Sequence, residues 1–141
     1  IIWKLPKGSP RDPKVNPDGK YPLILVQGKV LTQWQQTLTN FAPSLAQFSS
    51  GRTVTIHPVT AAQHGIRQDD TVTLETASGG IKARVILDDS IREDCVFTQS
   101  HMTESSPFPQ CRSPHINTIL PNYWDRVSAQ FNGIGCRLTK V

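Results

Sequence analysis

The chain has 141 residues, the size of one domain, and a domain of that length buries roughly 68–70% of the surface that its unfolded chain exposes. Hydrophobic residues make up 37% and charged residues 18%, which excludes a disordered tail, and no apolar run approaches the roughly 18 residues that cross a bilayer. The net charge of +4 is spread along the sequence and forms no basic run interleaved with aromatic residues. It therefore favours an anionic partner without indicating a nucleic acid.

The first segment, residues 1–20, is predicted to be a linker or lead-in from a preceding domain. It contains four prolines and two glycines, which disfavour both a helix and a strand ladder, and it begins without an initiator Met or a signal-peptide pattern. We therefore expect the chain to be a piece of something longer. A domain over residues 21–141 follows, and its first element is the apolar run Leu23–Val26, which ends at Gly28 and is typical of a strand buried on both faces.

The middle of the chain carries the clearest local patterns. The β-branched residues of 53–57 predict a second strand, and residues 58–64, opened by a proline and closed by Gly65, predict a two-turn helix. Apolar and polar residues then alternate along two stretches that are separated by a Ser-Gly-Gly turn at 78–80. This period of two predicts a β-hairpin over residues 70–88 with one buried face.

The last third of the chain predicts two short strands and a long loop. Residues 95–97 and 137–140 are short runs with strand-forming residues, whereas residues 100–115 are rich in Pro and Ser and predict a long surface loop of functional or disordered character. Many short strands, one small helix and long crossing loops indicate a mainly β fold. A barrel or a sandwich is favoured over a doubly wound sheet.

The cysteines indicate neither a disulfide framework nor a zinc knuckle. Cys95, Cys111 and Cys136 are an odd number without CxxC spacing, so a reducing compartment, the cytoplasm, is expected. A metal site of Cys95 and Cys111 with His115 remains an alternative to three unrelated thiols and a loop histidine. The sequence contains no GxSxG elbow, HExxH helix or P-loop, and we predict no catalytic residue and no metal ligand.

Two places near the first strand have the chemistry of a nucleotide site. Gly28 and Lys29 end an apolar strand, where a pyrophosphate would find closely approachable backbone N–H groups and a cation. A turn glycine beside a surface lysine explains the same pair. Trp34 offers a stacking face for a flat heteroaromatic ring, and it is equally well explained as a core aromatic.

Three polar residues in the second half of the chain extend this hypothesis. His101, at the end of a strand, has a ring that can bond a phosphate or a ring nitrogen of a ligand, or else the loop backbone. Asn117 and Asp125 have the donors and acceptors that bind amide-like ring edges, and Asp suits a ring edge that presents donors. The same two residues are also common helix caps and turn formers.

The order of these segments from Tyr21 to Leu138 resembles the C-terminal molybdopterin-dinucleotide-binding domain of the dimethyl-sulfoxide-reductase superfamily, which includes formate dehydrogenases and nitrate reductases. The strand, proline, Ala-rich helix and turn of residues 54–72 resemble the family's scaffold. Two departures stand out, because Gln33 replaces a frequent histidine, and Gly133 and Ile134 replace a frequent Tyr-Lys pair. The remaining positions that match the family pattern are Gly28, Lys29, Trp34, Thr37, His101, Asn117, Leu120, Asp125 and Ser128.

The resemblance implies a double-psi β-barrel with one or two short helices that binds molybdopterin guanine dinucleotide carrying molybdenum or tungsten. It implies preceding domains or subunits of a molybdenum oxidoreductase with iron–sulfur clusters, in which this domain binds the cofactor and is not catalytic by itself. The periplasm is then an alternative location for the parent enzyme. The cofactor-binding residues that it implies are Gly28, Lys29, Gln33, Trp34, Thr37, His101, Asn117 and Asp125.

Three other functions remain as alternatives. The barrel can serve as a free-standing binding subunit of a larger complex. A self-processing decarboxylase on a related barrel needs an internal Gly-Ser cleavage site, and the only such pair, Gly8-Ser9, lies in the lead-in. A nucleic-acid binder needs aromatic residues along a strand face beside phosphate-binding cations, a pattern that the sequence lacks.

Overall fold

The computed structural model describes residues 18–30, 40–121 and 134–141. The helices in these ranges are all short, and none is long and apolar enough to cross a membrane. The elements in chain order are β1 (Leu23–Gly28), α1 (Pro43–Ala46), β2 (Thr53–Ile56), α2 (Pro58–Gln63), β3 (Thr71–Thr76), β4 (Gly79–Leu87), β5 (Cys95–Gln99), two 3-10 turns (Pro109–Cys111 and Ile116–Thr118) and β6 (Ile134–Lys140).

The strands close into one barrel in the order β1-β5-β2-β4-β3-β6. Two of the contacts, β1 with β5 and β2 with β4, are parallel, and the other four are antiparallel. If β1, β2 and β3 are exchanged with β4, β5 and β6 in that order, every one of these pairings is reproduced. The barrel therefore consists of two interlocked three-stranded units with the same topology. This arrangement confirms the prediction of a mainly β, double-psi barrel.

The interior of the barrel is filled by alternate residues of each strand, because successive side chains of a strand point to opposite faces. Val54, Val72, Leu74, Val85 and Val96 have no accessible surface. The prediction that β1 is buried on both faces is wrong. Its inward residues are buried, but Val26 is 43% exposed, since a barrel has a single interior and the outer face of β1 lies outside it.

The helix predicted after the second strand is confirmed as α2. Its start is capped by the residue before the helical proline, because His57 Nδ1 accepts a hydrogen bond of 3.1 Å from the N–H of Val59. Its end is followed by Gly65, which has a φ of 65° as the predicted left-handed stop requires. Ile66 then turns back and is buried in the core.

The predicted hairpin is confirmed as β3 and β4, with a turn that is shorter than expected. Gly79 and Gly80 were assigned to the turn, but they pair with Thr76 and Glu75 in the ladder, which leaves Ala77 and Ser78 as the turn residues. Gly79 has a φ of 147°, a conformation that side-chain-bearing residues rarely adopt. The glycine pair therefore begins the returning strand.

The described part of the loop after β5, residues 100–121, contributes side chains to the barrel core. β5 extends to Gln99 and β6 begins at Ile134, so both strands are longer than the sequence predicted. Within the loop, Ile116 and Ile119 are buried in the core cluster, and Ile119 O accepts a hydrogen bond from Thr76 Oγ1 on β3. Residues 100–115, which the sequence predicts to be a surface loop, also contain the buried residues Met102 and Cys111.

We predict that Leu74→Ala lowers the free energy of unfolding by about 2–5 kcal/mol, because it removes a fully buried side chain and leaves a cavity. Urea titration measures this change. Lys82→Ala, at an exposed position of the adjacent strand, is the control and is expected to change stability by less than about 0.5 kcal/mol. Equal midpoints for the two variants would contradict the assigned core.

Candidate functional site

The candidate site lies at the end of the barrel where β1 and β5 both finish. The two strands are parallel and in register, with Gly28 opposite Gln99, so the residues that follow them emerge side by side. Lys29 follows β1 and is exposed to solvent. Ser100 and His101 follow β5. A cation and an imidazole are therefore brought together from segments that are distant in the sequence.

Hydrogen bonds join the two strand ends. The carbonyl oxygen of Gly28 accepts from the N–H of Ser100 at 3.0 Å and from its hydroxyl at 2.9 Å. The Ser100 hydroxyl oxygen is also 2.9 Å from His101 Nε2. A hydroxyl has one proton, and a carbonyl can only accept, so Ser100 donates to Gly28 and His101 Nε2–H donates to Ser100. This arrangement leaves His101 Nδ1 with a lone pair that can accept a hydrogen bond.

The environment of His101 favours its neutral form. Burial, followed by electrostatic interactions with Lys29 and then His115, lowers the pKa of His101 below its ordinary value. The loop residues before the last 3-10 turn lie near the end of β5, because Arg52 donates to the carbonyls of both Gln99 and Pro114. At neutral pH the site therefore offers an acceptor nitrogen beside a lysine cation.

Asn117 lies in the 3-10 turn Ile116–Thr118, which follows His115 directly. The cap of this turn is His115, whose Nδ1 accepts from the N–H of Asn117 at 3.2 Å. The Asn117 side chain is exposed and forms no hydrogen bond within the described residues. The alternative interpretation of Asn117 as a helix cap is therefore wrong, because His115 is the cap, whereas its interpretation as a turn former is confirmed.

The structure brings four of the eight predicted cofactor-binding residues to this end of the barrel: Gly28, Lys29, His101 and Asn117. The other four, Gln33, Trp34, Thr37 and Asp125, lie outside the described residues. Gly28 also has a packing role that the sequence did not indicate. A Cβ at this position would lie 2.9 Å from Cε2 of Phe97, so any side chain here would force the ring of Phe97 to shift.

Sequence reasoning missed a buried polar network beneath the site. Asn40 is only 2% exposed. Its side-chain amide donates to the backbone carbonyl of His101, and its backbone carbonyl accepts from the hydroxyl of Ser106. Gln99 is also buried and bonds the backbone N–H and the hydroxyl of Thr53. Arg52 joins the same network. Arg, Asn and Gln are mostly surface residues, so no local pattern marked these positions as buried.

A groove of about 460 Å³ lies on the outer face of β1, β2 and β5. Its lining includes Val26, Phe97 and Arg92. The guanidinium of Arg92 binds both oxygens of the Asp94 carboxylate, at 3.0 and 2.9 Å, so its charge is already neutralised. Lys29, at the end of β1, has no ion pair with any residue that the structure describes, so it is the more suitable cation for a pyrophosphate, and we place the candidate site there.

In the part of the chain that the structure describes, no three His, Cys, Asp or Glu side chains converge as metal ligands. The alternative metal site of Cys95, Cys111 and His115 is therefore not formed. The three cysteines form no disulfide among the described residues. Cys136 is buried on β6, and burial raises the pKa of its thiol well above the ordinary value.

Comparison with known proteins places this barrel in a family. Residues 23–136 match the family model described as "Molydopterin dinucleotide binding domain". The match covers most of the chain, and the chain therefore belongs to the molybdopterin dinucleotide-binding domain family. This is the domain of the dimethyl-sulfoxide-reductase superfamily that the order of motifs predicted.

Individual relatives agree with this assignment. The chain is 34% identical over 99 residues to the assimilatory nitrate reductase catalytic subunit of Bacillus subtilis, covering 68% of this chain and 14% of that protein. It is 26% identical over 96 residues to the F420-dependent formate dehydrogenase 1 subunit alpha of Methanococcus maripaludis, covering 67% and 14%. The fold is that of a segment of acetylene hydratase from Pelobacter acetylenicus, with a TM-score of 0.77, 19% identity and coverage of 99% of this chain and 21% of that one.

We predict that Gly28→Ala lowers the free energy of unfolding by about 1–3 kcal/mol, because the added methyl group would overlap the ring of Phe97. Urea titration measures this change. Phe97→Leu introduced together with Gly28→Ala shortens the opposing side chain and is expected to recover much of the loss. If Gly28→Ala alone is as stable as the wild type, the close approach of the two strands is not as described.

We also predict that the pKa of His101, measured by NMR titration, lies below the ordinary histidine value and rises in Lys29→Met. Removing a nearby positive charge favours protonation of the ring. Lys82→Met, on an exposed position of β4, is the matched control and should leave the pKa of His101 unchanged. If the pKa of His101 is unchanged in Lys29→Met, Lys29 does not lie close enough to His101 to affect its protonation.

The lowered pKa also has a consequence for stability. His101 binds its proton at a higher pH in the unfolded chain than in the folded one, so it reduces stability as the pH falls through the ordinary histidine pKa.

Proposed function

We propose that the chain is the C-terminal domain of a molybdenum or tungsten oxidoreductase catalytic subunit, and that it binds the guanine dinucleotide arm of a bis-pterin cofactor. The observation that carries this proposal is the position of Lys29, His101 and the exposed amide of Asn117 at one end of a double-psi barrel, where Arg52 bridges the end of β5 to the loop before Asn117. The family supports a molybdopterin dinucleotide as the ligand class. The guanine base, the metal and the position in the parent chain are our proposals.

The charges at this end suit the pyrophosphate of a dinucleotide. Lys29 is exposed and forms no ion pair within the described residues, so its ammonium group can reach a ligand phosphate. Arg52 lies deeper, and it donates to two carbonyls and a hydroxyl. Two cations that pair with no carboxylate of residues 18–30, 40–121 or 134–141 produce a positive potential at this barrel end that attracts an anion. The barrel end therefore fits a pyrophosphate.

The neutral groups suit the ring edges of the ligand. In the proposed site, His101 Nδ1 accepts from a ring N–H, and the Asn117 amide both donates and accepts. Asp125 accepts from the donor edge of guanine, Trp34 provides a stacking face, and the contacts are completed by Gln33 and Thr37. These last four residues lie outside the described ranges and enter on the family pattern alone.

The metal–pterin supplies the redox chemistry when it is bound, and this domain supplies binding, orientation and shielding. We propose that the rest of the catalytic subunit, with iron–sulfur clusters, holds the second pterin and the substrate, and that the enzyme acts in the cytoplasm. The chain spans 14% of the nitrate reductase and formate dehydrogenase relatives, which carry the matching segment within much longer chains. A free-standing binding subunit is the alternative.

We predict that Lys29→Ala and Asn117→Ala each weaken cofactor retention by roughly 10- to 100-fold, the range expected when one hydrogen bond to a charged or buried group is lost. Purified full-length protein is hydrolysed in acid to split the pyrophosphate, and the released GMP is measured by chromatography. Molybdenum and tungsten are measured by mass spectrometry in the same samples.

Lys82→Ala and Gln63→Ala, which remove an exposed cation and an exposed amide elsewhere on the barrel, are the matched controls and should retain wild-type GMP. Release of CMP in place of GMP would overturn the guanine assignment alone. Wild-type nucleotide content in both site variants would place the ligand elsewhere and overturn the site.

A further inference from the structure

Arg52, directly before β2, is a buried cation held by hydrogen bonds to neutral groups. It is only 7% exposed. Its Nε donates to the hydroxyl of Ser113 at 3.0 Å, one terminal nitrogen donates to the carbonyl of Pro114 at 3.0 Å, and the other donates to the carbonyl of Gln99. The three bonds leave in three directions from one planar group, which is the geometry that a guanidinium can satisfy.

Burial of this charge has a cost, and no ion pair with another described residue offsets it. The carboxylates that pair with cations in the described ranges are bound to Arg84, Arg92, Arg137 and Lys140, and none is bound to Arg52. Burial lowers the pKa of Arg52 to about 10, which still leaves it protonated at neutral pH. Buried charges of this kind are stabilised by hydrogen bonds to their donors, and here two carbonyls and a hydroxyl accept from three of the five N–H groups of Arg52.

The three acceptors belong to the two halves of the candidate site. Gln99 is the last residue of β5, immediately before Ser100 and His101. Ser113 and Pro114 immediately precede His115 and the turn that carries Asn117. One rigid group therefore connects the strand end that carries the imidazole to the loop that carries the amide.

We propose that Arg52 is a positioning residue for the dinucleotide site, holding the His101 strand end and the Asn117 turn at the separation at which both contact one ligand. This inference rests on the proposed function. Arg52 acts through the backbone of its acceptors and need not touch the ligand itself.

The shape of the guanidinium matters here as much as its charge. Lysine keeps a positive charge at this depth but presents a compact ammonium group, which cannot direct three bonds along the plane that Gln99, Ser113 and Pro114 define. We therefore expect Arg52→Lys to retain the charge and lose the fixed geometry. Ser113→Ala removes one of the three acceptors and leaves Arg52 in place, so its effect should be smaller.

The test compares ligand content with stability in the full-length protein. GMP released by acid hydrolysis is measured for Arg52→Lys and Ser113→Ala, together with the thermal midpoint of each variant. Arg84→Lys, an exposed arginine paired with Asp69, is the matched substitution control. Ile66→Ala, a buried change behind α2, is a destabilised control.

The expected result is a GMP content about 10- to 100-fold lower in Arg52→Lys, the range found when groups that orient ligand-binding residues are removed, with a smaller loss in Ser113→Ala. Arg84→Lys and Ile66→Ala should retain their GMP. If Ile66→Ala and Arg52→Lys both lose GMP in proportion to the fall in their thermal midpoints, stability alone sets the occupancy of the site. This outcome would overturn the proposal.

The other outcomes separate this inference from the proposed function. Wild-type protein that contains GMP, with Arg52→Lys and Ser113→Ala unchanged, would overturn the positioning role and leave the dinucleotide site intact. Wild-type protein that releases no nucleotide would overturn the proposed function, and the positioning role with it. If Arg52→Lys does not fold, Ser113→Ala decides the question, because it keeps the buried charge.

Discussion

The parallel pairing of β1 with β5 is the contact on which the site depends. Parallel strands finish at the same edge of a sheet, so this one register places the residues after Gly28 beside those after Gln99. The carbonyl of Gly28 then accepts two hydrogen bonds from Ser100. These bonds hold Ser100, the first residue after β5, against the last residue of β1. The cation of Lys29 and the ring of His101 become neighbours because the two strands do.

A polar network fixes this barrel end, and apolar packing fixes the rest. The interior consists of fully buried aliphatic side chains such as Val54 and Leu74, which need no partners of specified geometry. At the site end, Asn40, Arg52 and Gln99 are buried and each is hydrogen bonded to backbone groups. Directed bonds of this kind hold loops whose few apolar residues could not determine a single conformation.

What the sequence could predict follows the range of the interactions. The β3–β4 hairpin and α2 were predicted because their signals, alternation and a Pro-to-Gly frame, are local. The pairing of β1 with β5 and the burial of Arg52 depend on contacts between distant segments and have no local signal. The candidate site residues Gly28, Lys29, His101 and Asn117 were predicted through the family pattern. The residues that support them, Ser100 among them, bond mainly to backbone, which a sequence pattern does not record.

The twofold repetition of the barrel has a consequence for its synthesis. β6, the last strand, pairs with both β1 and β3, and β1 finds its other partner only in β5. Neither three-stranded unit can be completed from its own half of the chain, so the barrel cannot close until residues 134–140 have left the ribosome. Long-range pairing of this kind folds slowly. A growing chain would expose open strand edges throughout that interval, a period in which chaperones would protect it from aggregation.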